Sequence, residues 1–240
     1  MELIVFLISI FIFAVILAVI FVFNLKKIKT FAENKHLLEI ATKFPDNIDI
    51  CKSMLAELNN KKVKIKENKD SKNATSLYIA ITDTILIANI KDRFTRIQTI
   101  AHECLHSIQN RRVLLFNFIF TNIYMIYFVI VTILTLIGII KNYNTQTIII
   151  VLMGFVQYAV RSYLETDAMV KAEYFAEEYM KEYINENKVC TLKEVEELTQ
   201  ACKKVNKIGI PMYNMELVIK AITKPIIYMT ITFILMAIQK

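Results

Sequence analysis

The chain has 240 residues, 55% of them apolar, a positive mean hydropathy and a formal charge of +7. The apolar residues fall in uncharged blocks rather than in amphipathic periods, which excludes an ordinary soluble globule and points to a chain built for a bilayer. With only three glycines and three prolines, it reads as mainly helical.

The first block, "LIVFLISIFIFAVILAVIFVF" (3–23), is long enough to cross about 30 Å of hydrocarbon. No basic residue precedes it and no small-x-small cleavage site follows. "LKKIK" comes next instead, as expected of a retained anchor rather than a signal peptide. "KTFAENKHLLEIATKF" (29–44) has helical spacing and stops at Pro45, and "DNIDICKSMLAELNN" (46–60) predicts a second helix capped by Asp46 or Asn47. The period then changes. "KKVKIKE" alternates, with Val63 and Ile65 on one face, and 76–81 and 84–89 predict two further strands with "TD" at the turn. "KDRFTRIQTIAHECLHSIQNRR" (91–112) predicts a helix with Asp92 near its positive end.

A second uncharged block spans 113–140 and a third 146–160, joined by "KNYNT". The third runs on into "RSYLETDAMVKAEYFAEEYMKEYI", where Ala168, Met169, Ala172, Ala176 and Tyr179 form a small-residue face, so one helix is expected to leave the membrane there. "TLKEVEELTQACKKVNKIG" is amphipathic and is expected to end at Gly209 and Pro211. The last block, 217–238, is expected to span, although Lys220, Lys224 and Pro225 interrupt its first half.

These elements predict a mainly α membrane protein of about four transmembrane helices with a cytoplasmic α+β domain containing a small sheet. The expected division is an anchor (1–24), a cytoplasmic α+β domain (25–112), a transmembrane hairpin (113–162), cytoplasmic helices (163–216) and a C-terminal hydrophobic segment (217–240). Lys26, Lys27 and Lys29 leave the first span, Arg111 and Arg112 enter the second, and Arg161 leaves the third. The positive-inside rule then places 24–112 and 161–216 in the cytoplasm and the N-terminus outside. Four cysteines without CxxC spacing, facing a reducing compartment, read as free thiols. The lysines of 61–72 lack interleaved aromatics, so lipid headgroups rather than nucleic acid are the expected partner.

The chemistry concentrates in "IAHECLHSIQNRR" (100–112), which carries two of the three histidines. On a helix, His102 and His106 lie on one face and can share a metal ion. Glu103, turned by about 100°, reaches a water on that ion instead. This is the HExxH pattern of two zinc ligands and a general base. Catalytic zinc needs a third protein ligand and one open position. His36, among Asn34, Lys35 and Glu39, reads as a solvated histidine. A carboxylate just past the third span is required, and Glu165, Asp167 and Glu173 are the candidates. Glu177, Glu178 and Glu182 read as a solvated face. Tyr163, Tyr174 and Arg161 are near enough in sequence to stabilise an oxyanion, and the strand at 84–89 is a candidate edge for an extended substrate.

The motifs "AHECLHSIQ" (101–109) and "YLETDAMVKA" (163–172) resemble those of the bacterial membrane-embedded neutral zinc metallopeptidases of the YugP-like type, in the same order of anchor, cytoplasmic domain, hairpin and hydrophobic tail. The resemblance implies His102, His106 and Glu165 as Zn²⁺ ligands and Glu103 as the catalytic base. It departs at Leu105, where that family usually has glycine. It implies a metallopeptidase-like domain and a zinc-dependent endopeptidase acting on protein or peptide at the cytoplasmic membrane surface. The alternative is an inactive membrane scaffold that keeps the metal-site fold. A site-2-type intramembrane protease fits poorly, because Arg93, Arg96, Arg111 and Arg112 flank the motif. A transporter fits worse, since the clear spans carry no internal acid or base.

Overall fold

The structure is a computed structural model and describes residues 2–68 and 75–238. Its elements are α1 (Glu2–Ala32), α2 (Lys35–Thr42), α3 (Asn47–Glu57), β1 (Lys64–Asn68), β2 (Leu77–Ile79), β3 (Thr84–Ala88), α4 (Arg96–Ile108), α5 (Arg111–Leu136), α6 (Tyr143–Asn187) and α7 (Leu192–Ile238). Helices α1, α5, α6 and α7 are each long and apolar enough to cross a membrane, consistent with membrane association. The end of the lysine-rich stretch, from residue 69 to 72, lies outside the described residues.

Several local expectations shift. The anchor helix does not stop at its lysines but continues to Ala32, so the helix expected from residue 29 is divided. Asn34 makes the break: its side chain accepts the N–H groups of His36 and Leu37 and so caps α2. Asp46 stands at the N-cap position of α3 without a capping bond, because its carboxylate takes Lys91 at 2.9 Å. Helix α4 is shorter than 91–112. It starts at Arg96 and ends where Gln109 adopts extended backbone. Helix α7 does not end at Gly209 and Pro211 but runs through both and through Pro225. A Cβ at Gly209 would meet nothing within 4 Å, so no steric constraint asks for glycine there. Each proline removes one intrahelical hydrogen bond, whereas a broken turn in apolar surroundings leaves several groups unpaired.

The sheet has the order β1-β3-β2, with β1 parallel and β2 antiparallel to β3. Strand β3 is therefore central and both its edges are used, which overturns the expectation of an open edge at 84–89. Its composition explains the placement: Ile85, Ile87 and Ala88 are all buried. The connection before β3 is wider than the two residues "TD". Strand β2 ends at Ile79, and Asp83 turns the chain in the left-handed region (φ 50°) while accepting the Tyr78 hydroxyl at 2.8 Å.

The chain divides into two compact units. The apolar unit comprises Met1–Leu25, Phe116–Tyr163 and Pro211–Lys240. Its core gathers Tyr124, Val131, Ile150 and Tyr228, and interhelical hydrogen bonds join Thr135 to Tyr228 (2.9 Å) and Gln157 to Thr121 (3.2 Å). Gly154 permits a close approach: a Cβ there would lie 2.8 Å from the Ala221 carbonyl oxygen and 2.9 Å from the Tyr124 hydroxyl.

The polar unit comprises Lys26–Leu115 and Leu164–Ile210. Its core joins Ile40, Ile50, Met54, Ile85, Ile87, Ile97, Ile100 and the Ala172–Ala176 face of α6. Arg96 is 2% exposed and ties three elements together. It donates to the carbonyls of Ala41 (2.9 Å) and Phe44 (2.7 Å) and to Asn47 Oδ1 (2.9 Å). The four cysteines are free, and Cys51 and Cys104 touch in the core at 3.6 Å. Helix α7 opens on a capping box in which Thr191 and Glu194 exchange hydrogen bonds.

Candidate metal site

Apolar residues at Ile97, Ile100, Ala101, Cys104 and Leu105 bury one side of α4, and so fix the rotation of its remaining face. Leu105 itself is 7% exposed and belongs to this core, so the position takes a bulky side chain. The rotation brings His102 and His106 together, their rings edge to face with centroids 4.5 Å apart. On α6, the buried Ala168 and Ala172 set the opposite rotation, which directs Glu165 inward.

The ligand atoms converge. Nε2 of His102 and Nε2 of His106 are 3.0 Å apart, and Glu165 Oε2 lies 3.4 Å from the first and 3.7 Å from the second. Four ligands held tetrahedrally at 2.0–2.1 Å from zinc are separated from one another by about 3.3 Å. The observed triangle thus has the size a small tetrahedral ion requires. His102, His106 and Glu165 could hold a metal ion, and geometry alone leaves the identity of that ion open.

Hydrogen bonds fix the tautomer of His106. Gln109 donates its amide nitrogen to the Leu164 carbonyl (2.8 Å) and to Asp167 Oδ2 (3.0 Å), both acceptors only. Its Oε1 therefore faces His106 Nδ1, at 2.8 Å, as the acceptor. The proton belongs on Nδ1, and the lone pair of Nε2 points into the triangle. Glu165 Oε2 and His106 Nε2 then both present lone pairs to the triangle, and His102 Nε2 completes a set that suits a cation. The electrostatics agree. Burial alone would depress the His106 pKa, but the Glu165 carboxylate outweighs it and the net shift is upward.

Glu103 sits beside this triangle, 5% exposed. Burial pushes its pKa up, against the opposing pull of His102 and His106, and the Tyr78 backbone N–H donates to the carboxylate. Among the rival carboxylates, Asp167 binds Lys171 at 2.7 Å and reaches His106 only through Gln109. Glu173 bonds Asn206 at 3.3 Å. His36 is exposed, with Glu197 at 3.3 Å. Glu177 pairs with Lys181 and Lys203, and Glu178 and Glu182 are exposed. Arg161 donates to the Tyr213 hydroxyl, Tyr163 is exposed, and the Tyr174 ring lies under Lys203.

Gln109 is the participant that sequence reading passes over. Its signal is its position three residues beyond His106, just past the end of α4, within reach of the last helical turn. No family model, curated protein or solved structure matches the chain.

Proposed function

We propose that this chain is a membrane-anchored, zinc-dependent endopeptidase of the kind its motifs resemble, with its site on the cytoplasmic side. The convergence of His102 Nε2, His106 Nε2 and Glu165 Oε2 within 3.0–3.7 Å carries the reading. The donor set of two imidazoles and one carboxylate suits zinc, and three protein ligands leave a position open for reaction. The cytoplasmic side follows from the lysines and arginines that flank the spans.

Zinc held there supplies Lewis acidity, which makes water nucleophilic near neutral pH and polarises a peptide carbonyl. The chain's own groups do the rest. Glu103 accepts a proton from the attacking water and returns it to the departing amine. Its burial raises its basicity, and the Tyr78 N–H fixes the direction of its carboxylate. Gln109 holds His106 in the tautomer that keeps Nε2 free. Protein or peptide is the proposed substrate and membrane lipid the proposed surroundings.

Elemental analysis of the purified protein in detergent tests this reading, alongside two variants. About one zinc per chain is expected, lost in Glu165→Ala and kept in Glu103→Gln, with peptide cleavage abolished in both. Absence of zinc after reconstitution overturns the metal site. Zinc without any effect of Glu103→Gln on function replaces the peptidase with a scaffold.

A further inference from the structure

We propose that a groove in the polar unit, between the end of α1 and the middle of α7, binds an anionic phospholipid. The groove encloses about 380 Å³ and is lined by Lys27, Thr30 and Phe31 from α1 and by Lys204, Lys207 and Ile208 from α7. Each trio is spaced i, i+3, i+4, so each helix turns one continuous patch toward the groove. The two patches match: exposed lysines at the rim, with half-buried Phe31 and Ile208 forming the floor.

The lining dictates the ligand. It contains three ammonium groups and no carboxylate, and none of the three lysines makes an ion pair among the described residues. A ligand must therefore bring negative charge. The aliphatic lysine stems extend the apolar floor while their heads stay in water. A small free anion would leave that floor uncovered, whereas a phospholipid covers it with an acyl chain and gives its phosphate to the lysines. The sequence brings such a ligand within reach. The uncharged run of α1 ends at Phe23, four residues or about 6 Å along the helix before Lys27. Ile208 likewise opens the mostly apolar approach to the last span of α7. The groove shares no residue with the metal site, so lipid binding and peptidase activity stand or fall separately.

The test places the full chain in nanodiscs of equal phosphatidylglycerol and phosphatidylcholine and counts the lipids it retains on release, by native mass spectrometry. The wild type is expected to retain phosphatidylglycerol selectively. Lys204→Ser with Lys207→Ser should lower that preference about thirty-fold, roughly five-fold for each lysine near an anionic surface. Arginine at both positions should restore it, and Lys61→Ser with Lys62→Ser, exposed lysines outside the groove, should leave it unchanged. Equal retention of both lipids by the wild type overturns the proposal. So does an equal loss in the Lys61/Lys62 pair, which would show a general charge effect. Displacement of the lipid by soluble glycerol phosphate overturns it as well, because the headgroup alone would then suffice.

Discussion

Removing the Gln109 amide isolates the support of one proposed metal ligand, His106. In Gln109→Met the side chain keeps its length and loses three hydrogen bonds: 2.8 Å to His106 Nδ1, 2.8 Å to the Leu164 carbonyl and 3.0 Å to Asp167. Asp167 keeps Lys171 at 2.7 Å, so its carboxylate is not stranded. His106 loses its partner on the Nδ1 side, and its ring becomes free to carry the proton on either nitrogen. Loss of such an orienting partner lowers metal affinity about 10–100-fold, or about 1.4–2.7 kcal/mol. The lost bonds to Leu164 and Asp167 should cost the metal-free fold about 1–2 kcal/mol. A competitive titration against a chromophoric chelator reads the affinity, and thermal unfolding of the metal-free protein reads the fold. A zinc affinity within two-fold of wild type, in a variant that melts normally, refutes the idea that Gln109 sets the tautomer of His106.

Arg96→Met should destabilise the protein by about 3–5 kcal/mol, because it strands the Phe44 carbonyl and Asn47 Oδ1 in the core and takes the guanidinium bonds from the Ala41 carbonyl. Chemical denaturation in detergent measures this, and a loss under 1 kcal/mol counts against it. Lys43 at 2.6 Å, with help from Thr191, holds the Glu194 carboxyl down at about 2. Its stabilising contribution is therefore complete above the ordinary glutamate range near 4.5 and disappears as pH falls toward 2. Glu194→Gln should flatten the stability profile across that window and leave its slope above pH 6 unchanged, as acid unfolding followed by circular dichroism would record. In the apolar unit, Gly154→Ala drives a methyl group against the Ala221 backbone oxygen and the Tyr124 hydroxyl. A loss of about 1–3 kcal/mol is expected, read as a lower unfolding midpoint in detergent, and an unchanged midpoint would mean that the helices part freely.

How far the chain could be read from sequence depends on the range of the forces involved. The four long apolar helices are legible because hydrocarbon length and absence of charge are local properties. The meeting of His102 and His106 follows from helical spacing alone. Glu165 was one of three carboxylates by position, and the burial of Ala168 and Ala172 decides which of them turns inward. Misread features depend on distant partners. Asp46 holds the N-cap position as expected but makes no side-chain capping bond, and its carboxylate meets Lys91, 45 residues away. The central place of β3 reflects a parallel pairing with β1 that no turn signal announces. The role of Gln109 required knowing that Leu164 and Asp167 would take both of its amide hydrogens. Helix α7 survives Gly209 and Pro211 because those residues permit a break without demanding one.

The hydrogen bond from Tyr78 to Glu103 also bears on how the protein stays separate from its neighbours. Strand β2 is only three residues long and forms one border of the sheet. Unpaired borders invite strands from other chains, and short length and nearby charge are the usual deterrents. Here the Tyr78 N–H is already committed within the molecule, and its acceptor is a carboxylate that an incoming backbone would have to displace. The same carboxylate that lies beside the candidate metal site thereby also guards the sheet against pairing edge to edge with another copy, so Glu103→Ala should promote self-association.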